Sequence, residues 1–192
     1  MSYPEITQRR SHMRNVLIYI GVAIVLGVLG ILVAAFVKPK EYRLERSVST
    51  SASAAEVFRV LNDIQRFQEW SPWKKLDPEA KYEYSGPLLG VGSAVAWDGN
   101  KDLGAGRMQI VDTQPEKAIF IETEFFRPFA SKSRTSWLVS DEGSQRKITW
   151  VMEGINETII ARVFNVIVSM DKILGKDFED GLASLKSIVE KN

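Results

Sequence analysis

Cysteine is absent from all 192 residues. Disulfides, thiolate metal sites and cysteine nucleophiles are therefore excluded, although the absence selects no redox compartment. Histidine occurs once, at His12, ahead of a long apolar run. A Ser-His-Asp triad or a histidine metal cluster in the folded part of the chain is thereby ruled out. Carboxylates, Lys, Tyr and Ser remain as acid-base groups. Basic runs are also missing: from Glu41 onward there are 20 basic and 23 acidic residues, a balance near −3. Nucleic acid is not an expected partner for such a surface. Gly86, Gly90, Gly92, Gly104 and Gly106 do not compose a phosphate-cradling loop and read as turns and bulges that bend a sheet. Neither a metal nor a cofactor is expected.

What the sequence does contain is one uncharged apolar run, Val16 to Val37, 22 residues long. As a helix rising about 1.5 Å per residue it spans about 33 Å, enough for a hydrocarbon core of about 30 Å. A cleaved secretory signal has a shorter core, about 7–15 residues, and a small-residue cleavage site. Here Lys38-Pro39-Lys40 follows instead, which favours an uncleaved anchor. The expected organisation is an N-terminal tail (1–15), a transmembrane helix (16–37), a linker (38–41) and one domain (42–192). The expected location is a bacterial inner membrane, held by a single pass. Arg9, Arg10 and Arg14 before the run stand against Lys38, Lys40, Arg43 and Arg46 after it. Three against four leaves orientation open under the positive-inside rule, with a periplasmic domain the preferred arrangement.

Tyr42–Thr50 alternates and predicts a strand. Ser53 followed by Glu56 is a capping box. Val57, Phe58, Val60, Leu61, Ile64 and Phe67 then supply a helical stripe that ends near Trp70, before Pro72. Six alternating segments follow: Lys81–Ser85, Ser93–Asp98, Gly106–Thr113, Lys117–Phe126, Ser131–Ser140 and Arg146–Glu153. Their short turns predict an antiparallel meander. From Thr158 to Val189 a stripe at three- and four-residue steps, Ile160 through Ile188, predicts one continuous helix.

The order strand, helices, sheet, long helix suits an α+β helix-grip architecture, a curved antiparallel sheet around a C-terminal helix. The residues "ERSVSTSASAAEVFRVLND", "WSPW", "YSGPLLGVGSAVAWDGN", "GAGRMQI" and "DFEDGLASLK" run from Glu45 to Lys186. In order and spacing they resemble the polyketide cyclase/dehydrase and lipid-transport branch of the START-like (SRPBCC) superfamily, with its Bet v 1/START-like fold. That resemblance implies a hydrophobic cavity between sheet and final helix. It implies no particular reaction, because such folds host carriers, sensors and enzymes.

Candidate ligand-binding residues are Trp73, Tyr84, Trp97, Met108, Trp150, Phe164, Ile167 and Met170. Trp70 and Trp73 lie in the segment that closes one end of the implied cavity, with Trp73 the better candidate to touch a guest. Large apolar side chains at alternate strand positions suit an adaptable apolar site or an ordinary core. Glu122 and Glu124 share a strand face, where alternating charge usually marks solvent. Asp171 reads as a helix-face charge. The expected function is a non-enzymatic, membrane-tethered binding domain for a lipid, isoprenoid or quinone-like molecule. One alternative is a cyclase or dehydrase using Tyr82, Tyr84, Arg107 or Arg134. Another is a protein-interaction module of co-chaperone-like type.

Overall fold

The computed structural model describes residues 3–191, divided into two compact units. One unit comprises Glu41–Ile155 and Met170 onward; the other comprises the chain up to Lys40 together with Asn156–Ser169.

The larger unit is built on a seven-stranded antiparallel sheet. Its strands are β1 (Glu41–Thr50), β2 (Lys81–Ser85), β3 (Ala94–Asp98), β4 (Ala105–Gln114), β5 (Ala118–Arg127), β6 (Ser131–Glu142) and β7 (Gln145–Ile155). The spatial order β1-β7-β6-β5-β4-β3-β2 is the expected meander, with β1 added beside β7. Alternation places Val95, Met108, Ile110, Ile121, Trp137 and Trp150 in one core. Their neighbours Glu122 and Arg134, directly paired across β5 and β6, are exposed. Register shifts in β4 at Ala105/Gly106 and Ile110/Asp112 mark bulges that bend the sheet.

Helix α2 (Ala54–Leu61) begins as its capping residue dictates: Ser53 Oγ accepts the Glu56 N–H at 3.2 Å. The Glu56 carboxylate pairs with Arg59 one turn on. A short 3-10 turn, Ile64–Arg66, leads into α3 (Phe67–Trp70). Another 3-10 turn, Lys74–Leu76, follows Pro72. Trp70 is buried and meets Phe67, Trp137 and Trp150 edge-on, with centroids 4.8–5.4 Å apart. Such T-shaped pairs match the quadrupoles of the rings.

The expected single C-terminal helix is two helices. Val168 is extended (φ −133°, ψ 114°) and separates α4 (Ile159–Ile167) from α5 (Met170–Val189). The β-branched run Val166-Ile167-Val168 lowers local helix propensity, and Ser169 with Asp171 supplies a new helix start. The stripe read as continuous thus serves two units. In the larger one, Phe178, Leu182, Leu185 and Val189 of α5 join the sheet's core. The Phe178 ring stacks on Trp150 at 4.0 Å. Arg46 of β1 binds Asp171 (2.6 Å) and Glu179 (2.9 Å), so Asp171 is a helix-face charge as read.

The smaller unit contains α1 (Tyr3–Val37) and α4. The helix therefore extends through most of the expected tail; residues 1 and 2 lie outside the described residues, as do the side chains of Arg9, Arg10 and Arg14. Within α1, Asn15–Val37 is long and apolar enough to cross a membrane, and a signal sequence near an N-terminus meets the same test. Its apolar side chains are exposed from Val16 to Leu29. Asn156 donates its N–H to the Lys40 carbonyl at 2.8 Å. From there α4 packs against α1, with the Arg162 guanidinium 5.8 Å from the Phe36 ring centroid.

Candidate apolar cavity

Inside the larger unit the sheet does not close fully on the helices, leaving a cavity of about 230 Å³. Alternate residues of β3 to β7 form its sheet wall: Val95, Met108, Thr123, Thr135, Trp150 and Met152. Phe67, Trp73 and Leu174 close it from the helical side. Tyr82, Trp97 and Phe125 extend the apolar wall along β2, β3 and β5. Exposed residues, Leu76, Asp102 and Arg127 with Pro128, make the open end.

Several walls are held in place by specific contacts. The Trp73 indole Nε1 donates to Asp177 Oδ2 of α5 at 2.9 Å. Trp97 lies over Gly106, where an added Cβ would collide with the ring, and meets Phe125 edge-on at 5.8 Å. At the mouth, Asn100 folds the β3–β4 loop: its Oδ1 accepts from Asp102 N (2.8 Å) and Leu103 N (3.1 Å). Asp77 Oδ2 accepts the Asn100 N–H at 2.7 Å and ties this loop to the segment after α3. Gly104 closes the loop at φ +72°, a conformation suited to glycine.

The cavity lining carries few charges. Arg127 at the rim pairs with Asp98, and Asp102 with Lys101 (3.8 Å). Burial foremost, with Tyr84 and the Asp77 carboxylate nearby, pushes the Tyr82 phenol above its ordinary value, so it is a neutral hydroxyl at pH 7. Thr123 and Trp150 are buried, yet Thr123 Oγ1 and Trp150 Nε1 have no hydrogen-bond partner among the described residues. The Gln68 Oε1 in the same lining is likewise unpartnered. Buried polar atoms of this kind carry a desolvation cost that a hydrogen-bonding guest relieves.

Of the eight candidate residues, Trp73, Trp97, Met108 and Trp150 come together in this lining. Tyr84 does not: it faces a separate recess of about 210 Å³ with Ile64, Gln65, Pro87 and Leu88. Phe164 and Ile167 belong to α4 in the smaller unit, because the stripe that suggested them is interrupted at Val168. Met170 opens α5 four residues before the first α5 wall residue, Leu174, and is not in the lining. Thr123 and Thr135 also line it and are not among the eight, although alternation with Ile121 and Trp137 puts them on the inner face. Asp102, Leu103 and Arg127 carry no local signal, since loop residues distant in sequence make the rim. Glu124 pairs with Lys132 at 3.2 Å on the outer face, which confirms the solvated reading of the Glu122/Glu124 pair. Arg134 is exposed, and Arg107, next to inward Met108, faces outward.

A curved antiparallel sheet, a gripping C-terminal helix and an internal apolar cavity define an α+β helix-grip protein. The family model for polyketide cyclase / dehydrase and lipid transport matches residues 41–190, and the chain belongs to that family. No curated protein matches the chain. Among solved structures it is similar to protein CV1439 from Chromobacterium violaceum, at 16% identity and TM-score 0.55 over 81% of this chain and 100% of that one. It is also similar to the Aha1 dimer from Colwellia psychrerythraea (16% identity, TM-score 0.54, 78% and 96% covered). A third is Ara h 8.0201 (12% identity, TM-score 0.53, 79% and 99% covered). At these identities the likeness is one of fold.

Proposed function

We propose that this protein is a membrane-anchored, non-enzymatic binding domain that holds the apolar part of a lipid, isoprenoid or quinone-like molecule. The observation that carries the reading is the 230 Å³ cavity, walled by aromatic, aliphatic and thioether side chains and open at one end. Family membership supports it, since lipid transport is one of the activities the family is described by. A dry cavity of about 150 Å³ accommodates benzene, so this one holds roughly ten non-hydrogen atoms, with any longer chain leaving through the mouth. The charged groups of the lining, Asp102 and Arg127, sit at the exposed rim and are engaged by Lys101 and Asp98, while the Tyr82 phenol is held neutral. That arrangement favours binding over acid-base catalysis. The anchor is Asn15–Val37, whose exposed apolar surface suits a bilayer. A bilayer is also where such ligands partition, and a tether keeps the cavity near them.

The test is gentle purification of the full chain with its surrounding lipid, then extraction and mass spectrometry of small molecules. A recurring apolar compound at near one per chain, displaced when an aromatic ligand is added, supports the reading. Recovery of bulk lipid alone, with no tryptophan quenching by added isoprenoids, long-chain alcohols or quinones, overturns it.

A further inference from the structure

Helix α4 carries an apolar stripe that no part of its own unit covers. Ile160, Phe164 and Ile167 are 72%, 54% and 61% exposed. Their spacing (i, i+4, i+7) places them within about 60° of arc at 100° per residue. Ile159, Val163 and Val166 flank them, and Arg162 and Asn165 occupy the other side. A stripe of this size on a helix of nine residues is not explained by chance exposure of single apolar side chains.

The neighbour of α4 identifies what covers the stripe. Its Arg162 guanidinium lies over Phe36, in the last turn of the apolar helix, and Asn156 is bonded to Lys40 just beyond it. Helix α4 is therefore held at the C-terminal end of the span Asn15–Val37. When α1 crosses a bilayer, its end and the adjoining Lys38 and Lys40 lie at the level of the headgroups. An apolar stripe at that depth meets acyl chains, while Arg162 and the two lysines reach phosphates.

We propose that α4 is an interfacial membrane helix, immersing Ile160, Phe164 and Ile167 in the same leaflet that receives the end of α1. The partner is the lipid bilayer. This rests on the anchor reading above and adds a second, separable contact to it. Continuity decides for lipid over protein: α1 and α4 form one unit, and the apolar surface of α1 is exposed on the same unit.

The absence of cysteine makes the test clean. Single variants Ile160→Cys, Phe164→Cys, Ile167→Cys, Asn165→Cys and Leu26→Cys of the full chain are labelled with a small fluorophore. Each is reconstituted in phosphatidylethanolamine/phosphatidylglycerol vesicles with or without brominated acyl chains, and each is also titrated with aqueous iodide. The expected result is bromolipid quenching at 26, 160, 164 and 167, with weaker quenching at 165 on the other side of the helix. Quenching at 26 with iodide access at all three stripe positions overturns the α4 proposal and leaves the anchor standing. Stripe positions shielded from both quenchers mean that protein covers them, a second copy or another chain, and this also overturns it. Loss of quenching at 26 overturns the anchor reading itself, and the α4 proposal with it. Far-UV circular dichroism and vesicle co-flotation of each variant separate these outcomes from misfolding.

Discussion

Trp73 Nε1 and Asp177 Oδ2 are 2.9 Å apart, one on the segment that follows α3 and the other on α5. This hydrogen bond fixes the indole across the cavity wall, in contact with Trp150 at 5.6 Å and Phe178 at 6.2 Å. Trp70, three residues earlier, is instead locked in the core. The two rings of "EWSPW" thus have different duties: one holds the fold, and the other lines the space.

Removing the Asp177 acceptor tests that duty. Asp177→Ala deletes a charge-assisted bond, with an expected stability loss of about 1 kcal/mol. The freed ring samples other positions, and affinity for an apolar probe falls roughly fivefold, the equivalent of 1 kcal/mol. Asp177→Asn keeps an acceptor and recovers most of both. Chemical denaturation and probe titration by tryptophan fluorescence read the two effects separately.

Thr123 offers a different kind of test, because its buried hydroxyl has no partner among the described residues. Thr123→Val keeps the shape and removes the unpaired group. Stability is expected to rise by about 1 kcal/mol, since an unsatisfied buried hydroxyl costs about 1–3 kcal/mol. A ligand that hydrogen-bonds this position loses affinity, whereas a hydrocarbon of the same size does not. Paired titrations with an alcohol and its parent alkane separate these cases.

Gly181 faces the Trp150 ring, and an added Cβ would sit 2.9 Å from it and 3.2 Å from Pro72. Neither neighbour is free to yield: Trp150 is buried and stacked on Phe178. Gly181→Ala is expected to destabilise by about 1–3 kcal/mol, as overpacking does, despite the better helix propensity of alanine. Gly143→Ala, where an added Cβ meets open space but φ is +63°, gives a comparison in which backbone strain acts without crowding. Denaturant midpoints of the two variants measure the difference.

The sheet and its neighbours were legible because each strand carries period-two alternation punctuated by Gly, Pro or Asp-Glu-Gly turns. Ser53 announced α2 for an equally local reason: its side chain bonds within its own first turn. The break at Val168 was hidden, because a three-four stripe looks the same whether it faces one partner or two. Only the Ser169–Asp171 helix start inside the stripe marks it. The cavity was half legible. Trp97, Met108 and Trp150 follow from strand parity, which is local. Leu76, Leu103 and Arg127 meet at the rim through contacts such as Asn100 with Asp77, separated by 23 positions in sequence. No local pattern encodes such a meeting.

Glu190 provides the pH test. Its carboxylate accepts the Ser51 N–H (3.0 Å) and the Thr50 hydroxyl (2.9 Å), closing the end of β1 against the end of α5. These bonds, the backbone one foremost, hold its pKa below the ordinary glutamate value of 4.5. A depressed folded-state pKa means that the unfolded chain takes up the proton first as acid is added. The clasp is therefore fully present above pH 4.5 and is lost as pH falls through the lower, folded-state value. Glu190→Gln cannot ionise and keeps only a weaker acceptor. The variant is expected to be less stable than the parent at pH 7, with the gap narrowing steadily below pH 4.5. Thermal melts of both proteins at matched ionic strength across that range check the sign. A gap that widened on acidification would show that Glu190 is not held in its charged form by the β1 terminus.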